Sequence, residues 1–329
     1  MPNLTPAQAH ELVVSTLTRC RTSAANARAV ARALVAAEMD GLKGHGLSRV
    51  PMYAAQAKIG KVDGMATPAM ERPRPGLVLV DAAHGFAYPA IELAETVLPE
   101  AARTQGIASA AIRRSHHCGA AGHPVERLAQ TGLVAMLFSN TPYAMAPWGG
   151  SKPVFGTNPL AFACPLPSRA PLVVDLSLSK VARGNIVTAK QRGEKIPEGW
   201  ALDEHGRPTT DPDAALRGTM VPAGDAKGTA LALMVELLAA GMTGSNYAAD
   251  ASSFLDTKGG PPGVGQLIIA FDPKAFGGNA VERFGVLATS IEEQAGARLP
   301  GTKRLAAREK AKAEGLSVSD ALMAEIEAA

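Results

Sequence analysis

The sequence predicts an α/β fold of the α+β type, with a sheet that is at least partly antiparallel. Three observations predict it. Apolar residues make up 47% of the 329 positions and aromatics only 4%, so the core has to be built from Ala, Val, Leu, Ile and Met, the composition of a helix-rich enzyme. The apolar runs LAFACP, from Leu160, and LVVDLS, from Leu172, lie too close together for a crossover helix, which requires an antiparallel pairing. No GxGxxG follows a strand and no GxxxxGK[ST] occurs, so neither a Rossmann fingerprint nor a P-loop is present.

The elements follow in order. Thr5 can cap a first helix, with Pro6 at its first position and Gln8 completing a capping box. Ser23 caps a second that runs to about Met39, with Ala27, Val30, Ala31, Leu34 and Ala37 on one stripe. Residues 40 to 64 are rich in glycine around a short helix and read as a functional loop. A buried strand and turn at 77–85, an amphipathic helix at 89–105, a strand at 107–114, a helix ending near Gly132 and the strand LVAMLFSN come next. Beyond the antiparallel pair, 184–192 reads as helix, 196–213 as loop with turn chemistry, and 228–242 as the most apolar helix, hence a central one. The strand QLIIAFDP and a charged helical section from about Arg304 close the chain.

Several classes are excluded. The net charge of +3 is small and the basic residues are scattered among acids, which argues against a nucleic-acid partner. Cys20, Cys118 and Cys164 show no CxxC spacing and suit a reducing compartment. The N-terminus begins as a helix instead of a basic and apolar leader, so cytoplasmic residence is expected. No apolar run reaches the roughly 18 residues that span a bilayer. The histidines include no HxH, HExxH or HxxxH, so no metal site is expected.

Polar, Gly-flanked segments interrupt the apolar pattern at GHGLSR, SHHCGAAG, FGTNP and DAKG, where backbone can approach a ligand closely. His45 fits a turn histidine with a local hydrogen bond as well as a site residue. His117 sits between a strand and a helix N-terminus, where a neutral imidazole can act as acid or base. Arg49 is either a solvated arginine or a carboxylate clamp. His116 and His117 are adjacent and point in different directions. Cys118 reads as a small packed thiol, and Tyr143, Trp148 and Trp200 as packing or pocket walls. Asp175 suits a ribose hydroxyl or the cap of the next helix equally well.

Taken together and in order, DGLKGHGLSRVPMY, RRSHHCGAAGHPVERLAQTGL, APWGGSKPVFGTNPLAFACP, VVDLSLSKVARG, IPEGWALDEHGRPTTDP, DAKGTALALMVELLAAGMTG and GQLIIAFDP resemble the malate/L-lactate/sulfolactate dehydrogenase family, which also contains ureidoglycolate dehydrogenase and the Δ1-piperideine-2-carboxylate and Δ1-pyrroline-2-carboxylate reductases. The resemblance covers nearly the whole chain. It implies a non-Rossmann fold with a largely antiparallel sheet and a helical lobe drawn from both termini. In that division, residues 1–75 form the lobe and substrate loop, joined by C-terminal helices at 280–329, and 76–279 form the cofactor-binding region. A homodimer with its cofactor near the subunit boundary is also implied.

The resemblance assigns roles residue by residue. His117 matches the family's catalytic histidine, and His45 and Arg49 match the SHGxxR segment of the substrate site. Thr141, Asp175, Leu176, Ser177 and Lys227 match positions that hold NAD or NADP, with Gly265 and Gln266 as further cofactor positions. Gly44, Thr157 and Asn158 lie beside the small anionic substrate. The implied reaction is hydride transfer between nicotinamide and carbon 2 of a 2-hydroxy acid of the malate, lactate or sulfolactate type, with His117 moving the proton and Arg49 orienting the carboxylate. The alternative is reduction of a cyclic 2-imino acid. Lys43, Ser48 and Lys152 are candidate specificity residues. Two departures stand out: Gly44 replaces the family's usual serine, and Asp225 adds a negative charge in a region that usually reads GGxKG. A silent nucleotide-binding regulator would have lost His117, and a purely structural scaffold has no need of polar Gly-rich loops at several strand ends.

Overall fold

The antiparallel pair forced by the short connection forms one edge of a seven-stranded sheet in the computed structural model, which describes residues 2–329. Its strands are β1 (Ala69–Arg74), β2 (Leu77–Asp81), β3 (Ile107–Ser115), β4 (Val134–Ser139), β5 (Leu160–Leu166), β6 (Arg169–Leu176) and β7 (Val264–Phe271). They lie in the order β1-β2-β3-β7-β4-β5-β6, and only β2 and β3 run parallel. β1 was not foreseen. Its sequence, AMERPR, is exposed at every residue, so this edge strand buries nothing and carries no apolar alternation to detect.

Register decides where the site forms. Val264 faces Ser115, Gln266 faces Ser139, Phe138 faces Leu160, and Leu160 faces Leu176. The C-terminal ends of β3, β4 and β6 and the starts of β5 and β7 therefore share one end of the sheet.

The helices follow from caps and stripes. Helix α1 (Pro6–Arg19) carries the capping box of Thr5 and Gln8, and α2 (Ala24–Met39) is capped by Ser23. With α3 (Val50–Ile59) they form a core of their own, to which α10 (Thr302–Glu314) and α11 (Asp320–Ala328) add Ala311 and Ile326. The pairing of Asn3–Leu4 with Leu316–Ser317 ties the two chain ends together. Helix α9 (Ala280–Glu292) lies instead at the sheet edge, where Ala288 packs with Leu166.

Helices α4 (Ala87–Gln105) and α5 (Gly122–Gln130) cover one face of the sheet, burying Ile91, Leu98 and Val125 against Val78, Val80, Ile112 and Ile268. Helix α6 (Arg183–Arg192) and the short α7 (Pro212–Arg217) flank a small hairpin, Ala201–Leu202 with Pro208–Thr209, inside the stretch read as loop. Asp203 makes that turn by accepting the His205 and Arg207 N–H groups, each at 2.9 Å.

Helix α8 (Ala226–Glu236) and a π-helical turn at Leu237–Gly241 cover the other face. Ala232, Val235 and Ala239 pack on Phe138, Met145 and Leu267. The expectation of a central helix needs correction: Leu233, Met234, Leu237 and Met242 are 47%, 53%, 50% and 68% exposed. The segment is apolar all round, but protein covers only one of its sides.

A buried charge network joins the helical core to the sheet layer. Asp40, just after α2, accepts from Arg308 at 2.6 and 2.8 Å, from Arg304 at 2.9 Å, and meets His123 Nε2 at 2.9 Å. Glu126 on α5 pairs with the same two arginines. Burial raises the Asp40 pKa, but the bonds from Arg308, His123 and Arg304 outweigh it and hold the carboxyl well below its ordinary range. Its stabilising contribution is therefore complete above its unfolded pKa and is lost only as the pH falls through the depressed folded value. Asp40→Ala is expected to lower the unfolding free energy by about 3–5 kcal/mol, because it strands buried cations. Denaturant unfolding at neutral pH checks this, and a loss under about 1 kcal/mol would reduce the network to the value of a surface pair.

Candidate active site

The loop between α2 and α3 is wound into two short 3-10 turns, Lys43–His45 and Leu47–Arg49. Glu38 clamps it: its buried carboxylate accepts the Leu47 N–H at 2.9 Å and pairs with Lys43 Nζ at 2.8 Å. A Cβ on Gly46 would lie 2.2 Å from that carboxylate, so only glycine fits there without moving the clamp. Arg49 donates through Nε to the Gly44 carbonyl at 2.6 Å and pairs with no carboxylate among the described residues. Its position therefore leaves a cation with charge to spare. Lys43 also reaches the Ser317 carbonyl at 3.1 Å, and Ser48 the Lys43 carbonyl at 2.6 Å, so both are held locally. Nothing lies within 4 Å of a Cβ built on Gly44, so packing does not demand a glycine there.

This loop meets the end of β3. The His45 ring stacks on His117 with centroids 5.2 Å apart and 15° between planes, and Phe254 covers His117 from another side at 5.2 Å. His117 Nδ1 lies 2.5 Å from the Tyr53 hydroxyl. His45 does not make the local bond of a turn histidine, since its Nδ1 is buried without a partner. Next door, His116 sits among Tyr53, Phe86 and Phe254, with both ring nitrogens unpartnered.

Burial sets the protonation of these rings. It pushes His117 well below its usual pKa, with Arg49, His45 and His116 adding repulsion. His45 falls to about 4 through burial, Arg49 and His123, and His116 to about 3 through burial, Lys61 and Arg49. All three are neutral at pH 7. Cys118 is a buried free thiol pushed up to about 11, chiefly by burial, so it is no nucleophile at rest. A neutral imidazole beside an arginine can exchange a proton with an oxygen while the arginine holds an adjoining carboxylate.

Tyr53 and Phe254 escaped the sequence reading. Tyr53 lies four residues after Arg49, hence on the same side of the chain as it enters α3, and that spacing was a usable signal. Phe254 gave only a lone aromatic in a polar stretch. Lys61 fixes its loop by donating to the carbonyls of Ser253, Asp256 and Lys258 at 2.7, 3.1 and 2.6 Å. Gln56 assists, with bonds to the Phe254 and Asp256 carbonyls.

The expected cofactor positions line the same sheet end. The Thr157 N–H donates to Thr141 Oγ1 at 2.9 Å, the Leu178 N–H to the Thr157 carbonyl at 2.8 Å, and the Ala223 N–H to the Leu178 carbonyl at 2.8 Å. This chain of bonds runs from Thr141 past Leu176 and Ser177 to the start of α8, where Lys227 is exposed. Asp175 is exposed and does not cap the next helix: its carboxylate accepts the Gly122 N–H of α5 at 2.8 Å, and desolvation raises its pKa.

The structure places three other residues beneath the surface. Asn158 is fully buried and donates to Glu236 at 2.7 Å and to the Ala232 carbonyl at 3.1 Å. Gly265 donates to Asn140 at 2.9 Å, and a Cβ there would lie 1.9 Å from the Ala239 carbonyl. Gln266 holds the His116 carbonyl at 3.2 Å. They shape the site from behind, while Leu176, Ser177 and Lys227 are exposed and Thr141 is half-buried. A dinucleotide requires hydroxyl and backbone partners for its riboses and positive charge for its phosphates, and these residues, with Lys227 in the first turn of α8, fit that requirement.

A family described as malate/L-lactate dehydrogenase matches residues 4–327. A (2R)-3-sulfolactate dehydrogenase (NADP(+)) of Chromohalobacter salexigens is 53% identical, over 98% of this chain and 96% of that protein. A Δ1-pyrroline-2-carboxylate/Δ1-piperideine-2-carboxylate reductase of Pseudomonas aeruginosa is 42% identical, over 99% and 98%. Among solved structures, the Δ1-piperideine-2-carboxylate reductase of Pseudomonas syringae superposes with a TM-score of 0.95 at 35% identity, covering 100% of this chain and 99% of that one. The sulfolactate dehydrogenase of Methanocaldococcus jannaschii reaches 0.91 at 27% identity, covering 99% and 96%. Such matches from end to end, on a mostly antiparallel sheet without a Rossmann fingerprint, mean that the chain belongs to the malate/L-lactate dehydrogenase family.

Proposed function

We propose that this chain is an NADP-dependent dehydrogenase that interconverts a small anionic 2-hydroxy acid of the sulfolactate type with its 2-oxo acid. The observation that carries the reading is the buried, neutral His117 stacked on His45 beside an Arg49 that no carboxylate neutralises. The similarity to a sulfolactate dehydrogenase favours that substrate. The bound nicotinamide supplies or accepts hydride at carbon 2. Arg49, aimed by the Gly44 carbonyl, takes the substrate carboxylate, and His117 moves the proton on the reacting oxygen. Thr141, Ser177 and Lys227 hold the cofactor. Phe254 and the His45 ring keep bulk water from His117.

A second reading, reduction of Δ1-pyrroline- or Δ1-piperideine-2-carboxylate, is favoured by the 0.95 superposition on a reductase of that type. A cyclic imine can arrive protonated and asks less of His117, whereas a sulfonate calls for a further cation near the pocket. Three buried cysteines, none in a disulfide, fit a cytoplasmic protein. The exposed apolar side of α8 fits a homodimer contact, since such a surface on a lone chain would be costly.

Oxidation of NADPH and NADH, followed by absorbance against sulfopyruvate, oxaloacetate, pyruvate and Δ1-piperideine-2-carboxylate, tests the assignment. Turnover of sulfopyruvate with NADPH is expected, and turnover of the cyclic imine alone would transfer the protein to the reductases. His117→Ala should cost about a hundredfold or more in turnover while NADPH still binds; near-normal turnover would remove His117 from the mechanism. For the dimer, light scattering should show twice the chain mass for the natural protein and the single-chain mass for Met234→Glu with Leu237→Glu. A natural protein that is monomeric at micromolar concentration overturns that contact.

A further inference from the structure

Tyr53 has a second partner. Its hydroxyl lies 2.5 Å from His117 Nδ1 and 3.1 Å from the hydroxyl of Tyr88, and both tyrosines are buried. Tyr88 stands at the start of α4, on the wall of a separate cavity of about 350 Å³ between α2, α4 and α5. Two ion pairs line the cavity, Arg32 with Glu92 and Arg127 with the more buried Glu95. Gly119 makes room for the Tyr88 hydroxyl, because a Cβ there would lie 2.7 Å from it. The file of groups from His117 thus ends at the wall of this cavity.

We propose that Tyr53 and Tyr88 form a proton relay linking His117 Nδ1 to solvent in this second cavity, while Nε2 serves the substrate. The inference rests on His117 being the acid–base group. A neutral imidazole that surrenders its Nε2 proton without gaining one at Nδ1 becomes an imidazolate. With the relay, reduction breaks the Nε2–H bond as the product oxygen forms its O–H. Nδ1 takes the Tyr53 proton, Tyr53 takes that of Tyr88, and Tyr88 takes one from solvent in the cavity. Hydride comes from the reduced nicotinamide, so one solvent proton is consumed per turnover, and oxidation runs the same path backwards. The two phenols must keep their protons at rest, and burial ensures it: Tyr53 is pushed up to about 12 and Tyr88 well above its ordinary value. Tyr53 also stays near Arg49, which favours brief negative charge during transfer. The site can then exchange its proton with substrate and cofactor still in place.

Tyr88→Phe, Tyr53→Phe and His117→Ala in the full chain test this, with single-turnover NADPH oxidation by sulfopyruvate, or by whichever acceptor proves active, in mixtures of H2O and D2O. Tyr88→Phe is expected to lower the rate about tenfold with NADPH affinity and substrate KM within about twofold. The dependence on deuterium fraction should pass from bowed, for several protons in flight, to linear for one, and Tyr53→Phe should reproduce both changes. A merely structural role would not alter that curve. An unchanged rate and curve in Tyr88→Phe, with His117→Ala inactive, overturns the relay and leaves the acid–base reading standing. An active His117→Ala removes both.

Discussion

The site depends on a joint made of buried charge. Asp40 ends α2 and starts the loop that carries His45 and Arg49; His123 and Glu126 begin α5, a few residues after His117. The arginines of α10 bind both carboxylates at once, so one network fixes the helical core against the sheet layer and brings two remote segments into stacking contact. Charges this deep cost desolvation energy that a hydrophobic contact would avoid. What they provide is direction: each guanidinium fork accepts only one orientation of the two carboxylates, and so the spacing of His45 from His117 is set by hydrogen-bond geometry instead of by slack packing.

Given that joint, burial does the rest. Three histidines and two tyrosines crowd around one point, and desolvation is the first cause of the shift in all five. Neutral rings can stack closely without repulsion, which three imidazolium ions could not. Arg49 remains the one nearby cation whose charge acts on all three histidines, and among the described residues its side chain donates to a backbone carbonyl and to no carboxylate. A site of this kind attracts an anion and handles protons one at a time.

Much of this was legible in the sequence. The capping box of Thr5, Pro6 and Gln8 and the Ser23 cap are local chemistry and stand as expected, and the short link between β5 and β6 did dictate antiparallel pairing. What escaped depended on distant partners. β1 is recruited by β2 and buries nothing, so no pattern marks it. The carboxylate of Asp175 meets a helix more than fifty positions earlier in the chain, and only the register of the sheet reveals that. Tyr53 had a detectable spacing from Arg49, but Tyr88, its partner from another helix, had none. Asn158 looks like a pocket residue in the GTNP turn, yet Glu236 and the Ala232 carbonyl hold its amide NH2 inward while its oxygen accepts the Thr141 N–H from behind.

Helix α8 shows why composition alone misled. An apolar helix reads as a buried one, but the number of its faces that the chain covers is a property of topology. Here Ala232, Val235 and Ala239 meet the sheet, while Leu233, Met234 and Leu237 turn the other way. The same helix presents Lys227 in its first turn and anchors Asn158 through Glu236 behind the site. Sheet cover, cation and the inner support of the GTNP turn are thus rigidly connected along one element. On the functional reading proposed above, a partner seated on the apolar face of that helix would bear on the very segment that positions Lys227.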